Sequence, residues 1–482
     1  MGQMTKTSSR DELSASDKAL AGIQPPDRRV CEMLVTTKDL ERCIGSTKSN
    51  GAIPKLDREH LYTLAELIDI AETSDPGGRI AWAAAKKSLE LAGVDRAMYL
   101  PVLTLAAEGS DGRSIVPFPK PIAPRGYVTV EEPIALAQVE LEYSLLDFGR
   151  GAKVDGSKAL AQASTLLLSR THQKIAYRTS TEFYQEQQAA GHLEAAEMIV
   201  QTAETLLENA QSQFDHGRAT LPDVQNAEAG VAEARFDLAS AKGEMKKAKL
   251  ALTESIGVEP TDEINVQAPQ NESPDALDHN VEDLIQAAWK ARPDLLARAQ
   301  DVRRARDVSR EMRSAYLPKV AINAAGGESA AWPTADYGQL GYANVPTWSA
   351  DVKLRWEVFD GARKHQVAAA LAEQRSAVEE QRAMQDSVTR QVWDAYIDYQ
   401  TAIEQEHSSQ SFLVAAQTSY ESSLDAYKYG VRSLVDVVEA ERQLAQARLA
   451  VVRSQAQFMQ SAVSLSYATG DLLQHNPIGA RP

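Results

Sequence analysis

The sequence is poor in aromatics, cysteines and long apolar runs, and each scarcity closes off a class of protein. Aromatic residues make up 6% of its 482 residues against 43% hydrophobic, which favours long, narrow-seamed helices over a thick globular core. Two cysteines, Cys31 and Cys43, could form one bridge in an oxidising compartment, and whether they pair stays open. No stretch approaches eighteen consecutive apolar residues, so no transmembrane helix is expected. A net charge of -16 argues against a nucleic-acid surface, which needs a basic face. The eight histidines show no HExxH or Cys/His spacing, so no metal, cofactor or catalytic residue is assigned. Asp147-Phe148-Gly149 spells a kinase-like triplet without a glycine-rich loop; it reads as a turn, repeated at Asp360-Gly361. Glu404 to His407 reads as a solvated helix face, and Arg303 to Arg310 as a mixed-charge one. The chain is not expected to be an enzyme.

What is present is a duplication. Shifted by 213 residues, Gly217 falls on Gly430, Leu221 on Leu434, Asp223 on Asp436 and Glu228 on Glu441. The same shift carries Asp147 onto Asp360 and Gly257 onto Gly470. After each tip glycine comes a three-four spacing of small and apolar residues: Val224, Ala227, Val231, Ala234, Leu238 and Ala241, then Val437, Ala440, Leu444, Ala447, Val451 and Ser454. That alternation is a coiled-coil seam. Glycine accepts the left-handed conformation that ends a helix, so each copy reads as a helical hairpin reversing at its glycine.

Upstream, helical periodicity over Leu61–Met98, with Thr63 as cap, is followed by Tyr99-Leu100-Pro101 and an extended piece. Glu282–Ala315 followed by Tyr316-Leu317-Pro318 repeats it at an offset of 217, which also lays Pro76 on Pro293. The fold class is therefore mainly α with membrane β, a duplicated helix-strand-strand-helix hairpin unit. The expected divisions are an irregular segment 1–60; a first repeat 61–257, with strands 99–108 and 128–146 and a tip at 217–222; a linker 258–281; a second repeat 282–470, with strands 316–326 and 349–359 and a tip at 430–435; and a tail 471–482.

The strands alternate with period two. Val139, Leu141 and Tyr143 alternate with Gln138, Glu140 and Glu142, and Val352, Leu354 and Trp356 with Asp351, Lys353 and Arg355. No apolar layer is evident to cover the apolar side, so those residues are assigned to lipid and the polar ones to a water-filled lumen. Four strands cannot close a barrel, and open edges are not tolerated in lipid, so a homotrimer sharing one barrel is expected. From Arg150 to Phe214 a helix would extend about 95 Å. The other class considered is a soluble coiled-coil scaffold. It does not explain the duplicated strand pairs or the connecting loops Ser114–Tyr127 and Trp332–Trp348. The first sixty residues show no export signal of the usual kind, so the expectation is either a cytosolic chain or a start downstream of the native one.

These motifs together carry a resemblance: YLPVL and YLPKV opening strands, LDFGR and FDGAR closing them, ARPDLLARAQDVRRAR, and the tips HGRATLPDVQNAE and YGVRSLVDVVEAE. The pattern, over Leu61 to Leu473, resembles the outer-membrane efflux protein family, the TolC-like channel-tunnels. The resemblance implies a trimeric 12-stranded β-barrel continuing into a 12-helix α-barrel tunnel. It implies an outer-membrane site in a Gram-negative bacterium, contact with outer-membrane lipid, a periplasmic adaptor (membrane fusion protein) and an inner-membrane pump. It implies a passive exit duct for drugs, metals or proteins in tripartite efflux or type I secretion. By position it implies an acidic constriction at Asp436 and Glu439, whose mutual repulsion would raise some of their pKa values. It implies a gate lock among Asp223, Tyr427 and Arg432. The exposed tips, Gly217, Arg218, Ala219, Thr220, Gly430, Val431, Arg432 and Ser433, are expected to dock the adaptor.

Overall fold

The computed structural model describes residues 56–120, 123–261, 263–267, 280–336 and 338–472. Cys31, Cys43 and most of the segment 1–60 lie outside the described residues, as do 268–279 of the linker and the tail beyond Leu472. In order, the elements are β1 (Leu61–Tyr62), α1 (Leu64–Ser74), α2 (Pro76–Ala97), β2 (Val102–Ser110), β3 (Arg113–Pro117), β4 (Tyr127–Glu131) and β5 (Ile134–Leu146). Then come α3 (Arg150–Asp215), α4 (Leu221–Ser255), β6 (Asn265–Val266), α5 (Val281–Ala291), α6 (Pro293–Ser314), β7 (Lys319–Ala331), β8 (Thr334–Ala335) and β9 (Gly338–Gln339). The last are β10 (Ala343–Arg355), α7 (Arg363–Lys428) and α8 (Leu434–Thr469). Contacts divide the described residues into two units, one holding those of 56–86, 162–299 and 380–472, the other those of 87–161 and 300–379.

The first unit contains the hairpins from Gln162 of α3 and from Glu380 of α7 onward, tips included. The seam positions Val224, Ala227, Val231, Ala234 and Ala241 are buried, as are Val437, Ala440, Leu444, Ala447 and Ser454. The duplication extends to the cores. Leu67, Ala71, Ile175 and Leu252 sit in one apolar cluster, and their counterparts Leu284, Ala288, Val388 and Leu465 sit in another.

Each expected upstream helix is broken in two. Proline has no N–H to donate and disfavours helix in the residue before it, so α1 ends at Ser74 and α2 starts at Pro76, as α5 and α6 part at Arg292. Thr63 caps α1 through a reciprocal box with Glu66, whose Oε2 accepts from Thr63 N at 2.8 Å. The breaks pack on the glycines that end the hairpins. Gly257 and Gly470 have φ of 72° and 88°, and a Cβ on either would come to 3.0 Å from Ser74 or Arg292 respectively.

A cation closes each joint, supplied from opposite sides. In the first copy Arg178 of α3 donates to Asp75 Oδ2 and to the Ser255 carbonyl, both at 2.6 Å. In the second copy the positions exchange roles. Arg292, at the break, donates to Gln391 Oε1 at 2.8 Å and to the Ala468 carbonyl at 3.2 Å, the counterpart of Ser255. Arg292 also forks onto Asp294 at 3.1 and 2.7 Å. Arg170 lies 3.4 Å from the same carboxylate and 3.7 Å over the Tyr467 ring. Burial opposes ionisation of Asp294, yet hydrogen bonds from Arg292 and the charge of Arg170 hold its carboxyl below the usual range.

The linker is not all linker. Ile264 is buried in the first core, and β6 pairs in parallel with β1, Leu61 facing Asn265.

The second unit contains an antiparallel sheet of order β10-β7-β5-β2 and a smaller sheet of order β3-β4-β8-β9. β3, β8 and β9 of the smaller sheet come from the segments expected to be loops, whereas β4 is the start of the strand expected over 128–146, which parts from β5 at Glu132-Pro133. β8 and β9 have two residues each, too few to show period-two alternation. The barrel strands are shifted from the expected ranges: β7 and β10 reach Ala331 and begin at Ala343, and β10 ends at Arg355. Trp356 therefore lies just past the strand, where its Nε1 donates to the Tyr316 carbonyl at 3.1 Å.

Candidate functional site

Register settles which side chains share a face of the four-stranded sheet. Leu105 pairs with Val139, Val139 with Gly326, and Gly326 with Trp348. The next rows align Leu103, Leu141, Ala324 and Ala350, then Tyr143, Ile322 and Val352, and finally Val320 and Leu354. One face is thus apolar across all four strands, broken by Glu328 towards the far end. The other carries Glu140, Glu142, Asn323, Asp351 and Lys353, with Asn323 Nδ2 donating to Asp351 Oδ2 at 3.0 Å. The apolar face is open: Leu105, Val352 and Leu354 are 79%, 69% and 65% exposed. Patches of that extent on a soluble monomer are rare. Strands of 13 residues, with β2 at nine, are long enough to cross a bilayer as tilted strands. Among the described residues no helix is long and apolar enough to do so.

The base of this sheet is built twice. Arg150 lies 4.2 Å over Tyr99 and donates to the Ser144 carbonyl at 2.7 Å. Its counterpart Arg363 lies 5.0 Å over Tyr316 and donates to the Glu357 carbonyl at 2.8 Å.

In the other unit, both hairpin tips close with the same backbone motif. Gly217 and Gly430 have φ of 69° and 71°, a region other residues enter at a cost. Gly217 N donates to Phe214 O and Arg218 N to Gln213 O, each at 2.8 Å; Gly430 N and Val431 N repeat the pattern onto Tyr427 O and Ala426 O at 2.9 and 2.8 Å. Arg218, Thr220, Val431, Arg432 and Ser433 are exposed, with Ala219 half-buried.

Asp223 and Asp436 prove to be the same residue in two copies, each closing a helix start. Asp223 Oδ2 accepts from Thr220 N and Oγ1, both at 2.7 Å. Asp436 Oδ2 accepts from Ser433 N at 3.1 Å and Oγ at 2.8 Å. The capping hydroxyl, then the backbone N–H, hold each carboxyl below its usual range. Glu439 is exposed on the same helix face, with Arg442 at 4.0 Å. Within one chain the structure does not join Asp223, Tyr427 and Arg432 by hydrogen bonds. Arg432 Nη1 donates to Ser423 Oγ at 3.1 Å, and the Tyr427 hydroxyl is buried without a partner. Burial, then the Asp223 charge, push the Tyr427 hydroxyl pKa up.

One residue near the tips escaped sequence reasoning. Glu441, three residues before the seam position Leu444, is largely buried, and its carboxyl is pushed up to about 7 by burial, with Arg442 opposing. It in turn helps burial raise the Tyr420 hydroxyl to about 12. Its duplicate Glu228 is exposed, so the repeat pattern gave no signal.

Long helical hairpins and an amphipathic sheet with open edges define a class, the channel-forming export proteins. A model described as outer membrane efflux protein matches residues 67–258 and 284–471. The chain belongs to the outer membrane efflux protein family. Protein CyaE of Bordetella pertussis is 27% identical over 432 residues, covering 87% of this chain and 86% of that protein. Outer membrane protein TolC of Vibrio cholerae is 22% identical over 435 residues, covering 86% of this chain and 92% of that protein. The crystal structure of a membrane protein from Pseudomonas aeruginosa superposes with a TM-score of 0.73 at 20% identity, covering 84% of this chain and 93% of that one. The family and its fold neighbours are efflux channels of the outer membrane rather than enzymes.

Proposed function

We propose that three copies of this chain close one barrel in the outer membrane and form the exit duct of a tripartite efflux or secretion system. The observation that carries the reading is the pair of open edges. Neighbours in the sheet are antiparallel throughout, so β2 and β10 at its two edges run in opposite directions. β2 of one copy therefore meets β10 of the next as an antiparallel pair. Three such sheets give twelve strands, an even number as closed outer-membrane barrels of single-sheet design require. The face with Val139, Leu141, Tyr143, Val352 and Leu354 meets lipid, and the face with Glu140, Glu142 and Lys353 lines water. The long helices α3, α4, α7 and α8, four from each copy, form the wall of a periplasmic tunnel.

The hairpin tips at Gly217 and Gly430 are the docking surface for a periplasmic adaptor, itself bound to an inner-membrane pump. Asp436 and Glu439, exposed on one face of α8, form the acidic constriction. Asp223, Tyr427 and Arg432 hold the resting gate. The buried Tyr427 hydroxyl in the field of Asp223 is the contact nearest to forming, while Arg432 must leave Ser423 to join it. Any one exposed pair contributes roughly 0–1 kcal/mol, so symmetric copies share the load. Purified protein in a planar bilayer tests the reading: discrete conductance steps are expected, larger and steadier in Tyr427→Phe with Arg432→Ser. A protein that never conducts overturns the duct, and wild-type conductance in the double variant overturns the lock.

A further inference from the structure

At the base of the four-stranded sheet lies a cleft of about 330 Å³ lined by Phe148, Ala152, Arg310, Arg313, Ser314 and Leu317. It combines two guanidinium groups with two large apolar side chains. Phe148 is 52% and Leu317 45% exposed. The turn that carries Phe148 is fixed. Asp147 Oδ1 accepts from Gly149 N at 2.9 Å, Lys319 Nζ lies 3.0 Å from Asp147 Oδ2, and a Cβ on Gly149 would run into the Ser314 hydroxyl. The ring is therefore held open to solvent beside the last turn of α6. Arg310 is paired with Asp307 at 2.7 Å yet stays 55% exposed, and among the described residues no ion pair engages Arg313.

The duplication shows that the fold does not require this cleft. Moving Phe148 forward by 213 gives Gly361, and moving Arg310 back by 217 gives Gly93. The equivalent joint, where α2 meets the β10–α7 turn, has Gly361 for Phe148 and Gly93 for Arg310 and keeps only Arg96 for Arg313, so it lacks the arginine pair and that ring, yet the strand-helix joint is built there equally well. A cationic, half-apolar cleft in a chain of net charge -16 is complementary to an anionic amphiphile.

We propose that this cleft holds a glycerophospholipid of the periplasmic leaflet, its phosphate between Arg310 and Arg313 and an acyl chain against Phe148 and Leu317. The position fits: Phe148 follows β5 by two residues and Leu317 precedes β7 by two, at the end of the sheet where its strands join helices. Guanidinium suits phosphate because it offers paired donors in a planar fork, and aromatic and basic residues gather at the level of lipid headgroups. The site would fix how deep the sheet sits in the bilayer. This rests on the reading of the sheet as membrane-inserted.

The test is native mass spectrometry of the full chain in detergent with phosphatidylglycerol, compared with diacylglycerol of the same chains and with inorganic phosphate. Wild type is expected to retain phosphatidylglycerol, and neither of the other two probes should displace it. Arg310→Gln with Arg313→Gln should weaken retention at least about tenfold, the loss of two charge-assisted partners, and Phe148→Ser should weaken it independently. Equal retention in the arginine variant, or displacement by inorganic phosphate alone, overturns the site. Flotation of wild type with phosphatidylglycerol vesicles separates the two readings. Protein that does not float sinks the membrane reading, whereas protein that floats but binds lipid equally with and without the arginines sinks the cleft alone.

Discussion

Glu441→Gln should stabilise the protein at neutral pH and leave it unchanged in acid. The carboxyl rises from an ordinary 4.5 to about 7 because burial between hairpin helices disfavours its charge, with Arg442 only partly offsetting. A group raised on folding contributes stability that is complete below its unfolded value and is lost as pH climbs through its folded one. For Glu441 that window runs from about pH 4.5 to 7. At about 1.4 kcal/mol for each pH unit, the charged wild-type carboxylate costs at most about 3.5 kcal/mol by pH 8. A glutamine carries no such cost. At about 2 °C for each kcal/mol in a large domain, the variant should melt up to roughly 7 °C above wild type at pH 8 and level with it at pH 4.5. Thermal melts in detergent at both pH values read this out, with Glu228→Gln at the exposed duplicate position as the control. A melting difference that is the same at both pH values would refute the assignment of a buried, charge-penalised carboxyl.

Arg292→Ala should destabilise the first unit by about 3 kcal/mol, the low end for breaking a buried pair, because Arg170 still faces Asp294; an unchanged melting temperature would contradict the joint described here. Gly217→Leu with Gly430→Leu should abolish export while the oligomer persists, since a left-handed leucine costs about 1–2 kcal/mol at each tip and nothing else lies within 4 Å of either added Cβ. Normal export would rule out docking at the tips. Asp436→Asn with Glu439→Gln should lower cation selectivity and block by multivalent cations in single-channel recordings, and unchanged selectivity would remove the constriction.

The duplication was legible because the hairpin halves keep one offset without a gap, and the seams because small residues recur at three and four. Prolines 76 and 293 were visible and aligned, yet a helix was carried through both; apolar periodicity continues across the break, and only the missing N–H marks it. Asp223 and Asp436 were given separate roles although both follow a hydroxyl residue by three, the capping-box spacing at Thr220 and Ser433. The cluster of Arg170, Asp294 and Arg292 was not legible at all. Arg170 lies on α3, far in sequence from Arg292 at the α5–α6 break and Asp294 at the start of α6, and each alone looks like part of a charged surface. The same holds for Glu441, whose burial depends on which side of α8 meets Tyr420.

The central claim is that β2 of one copy pairs with β10 of another. In a background where Cys31 and Cys43 are replaced, single cysteines at Thr104, Ala106 or Glu108 can be combined with one at Ser349, Asp351 or Lys353, and disulfides formed in the assembled protein. The account predicts interchain bonds that build a ladder ending at the trimer, with pairs that bond following one antiparallel register. Protein in which no combination links one chain to another, or in which the links never close at three, would contradict it.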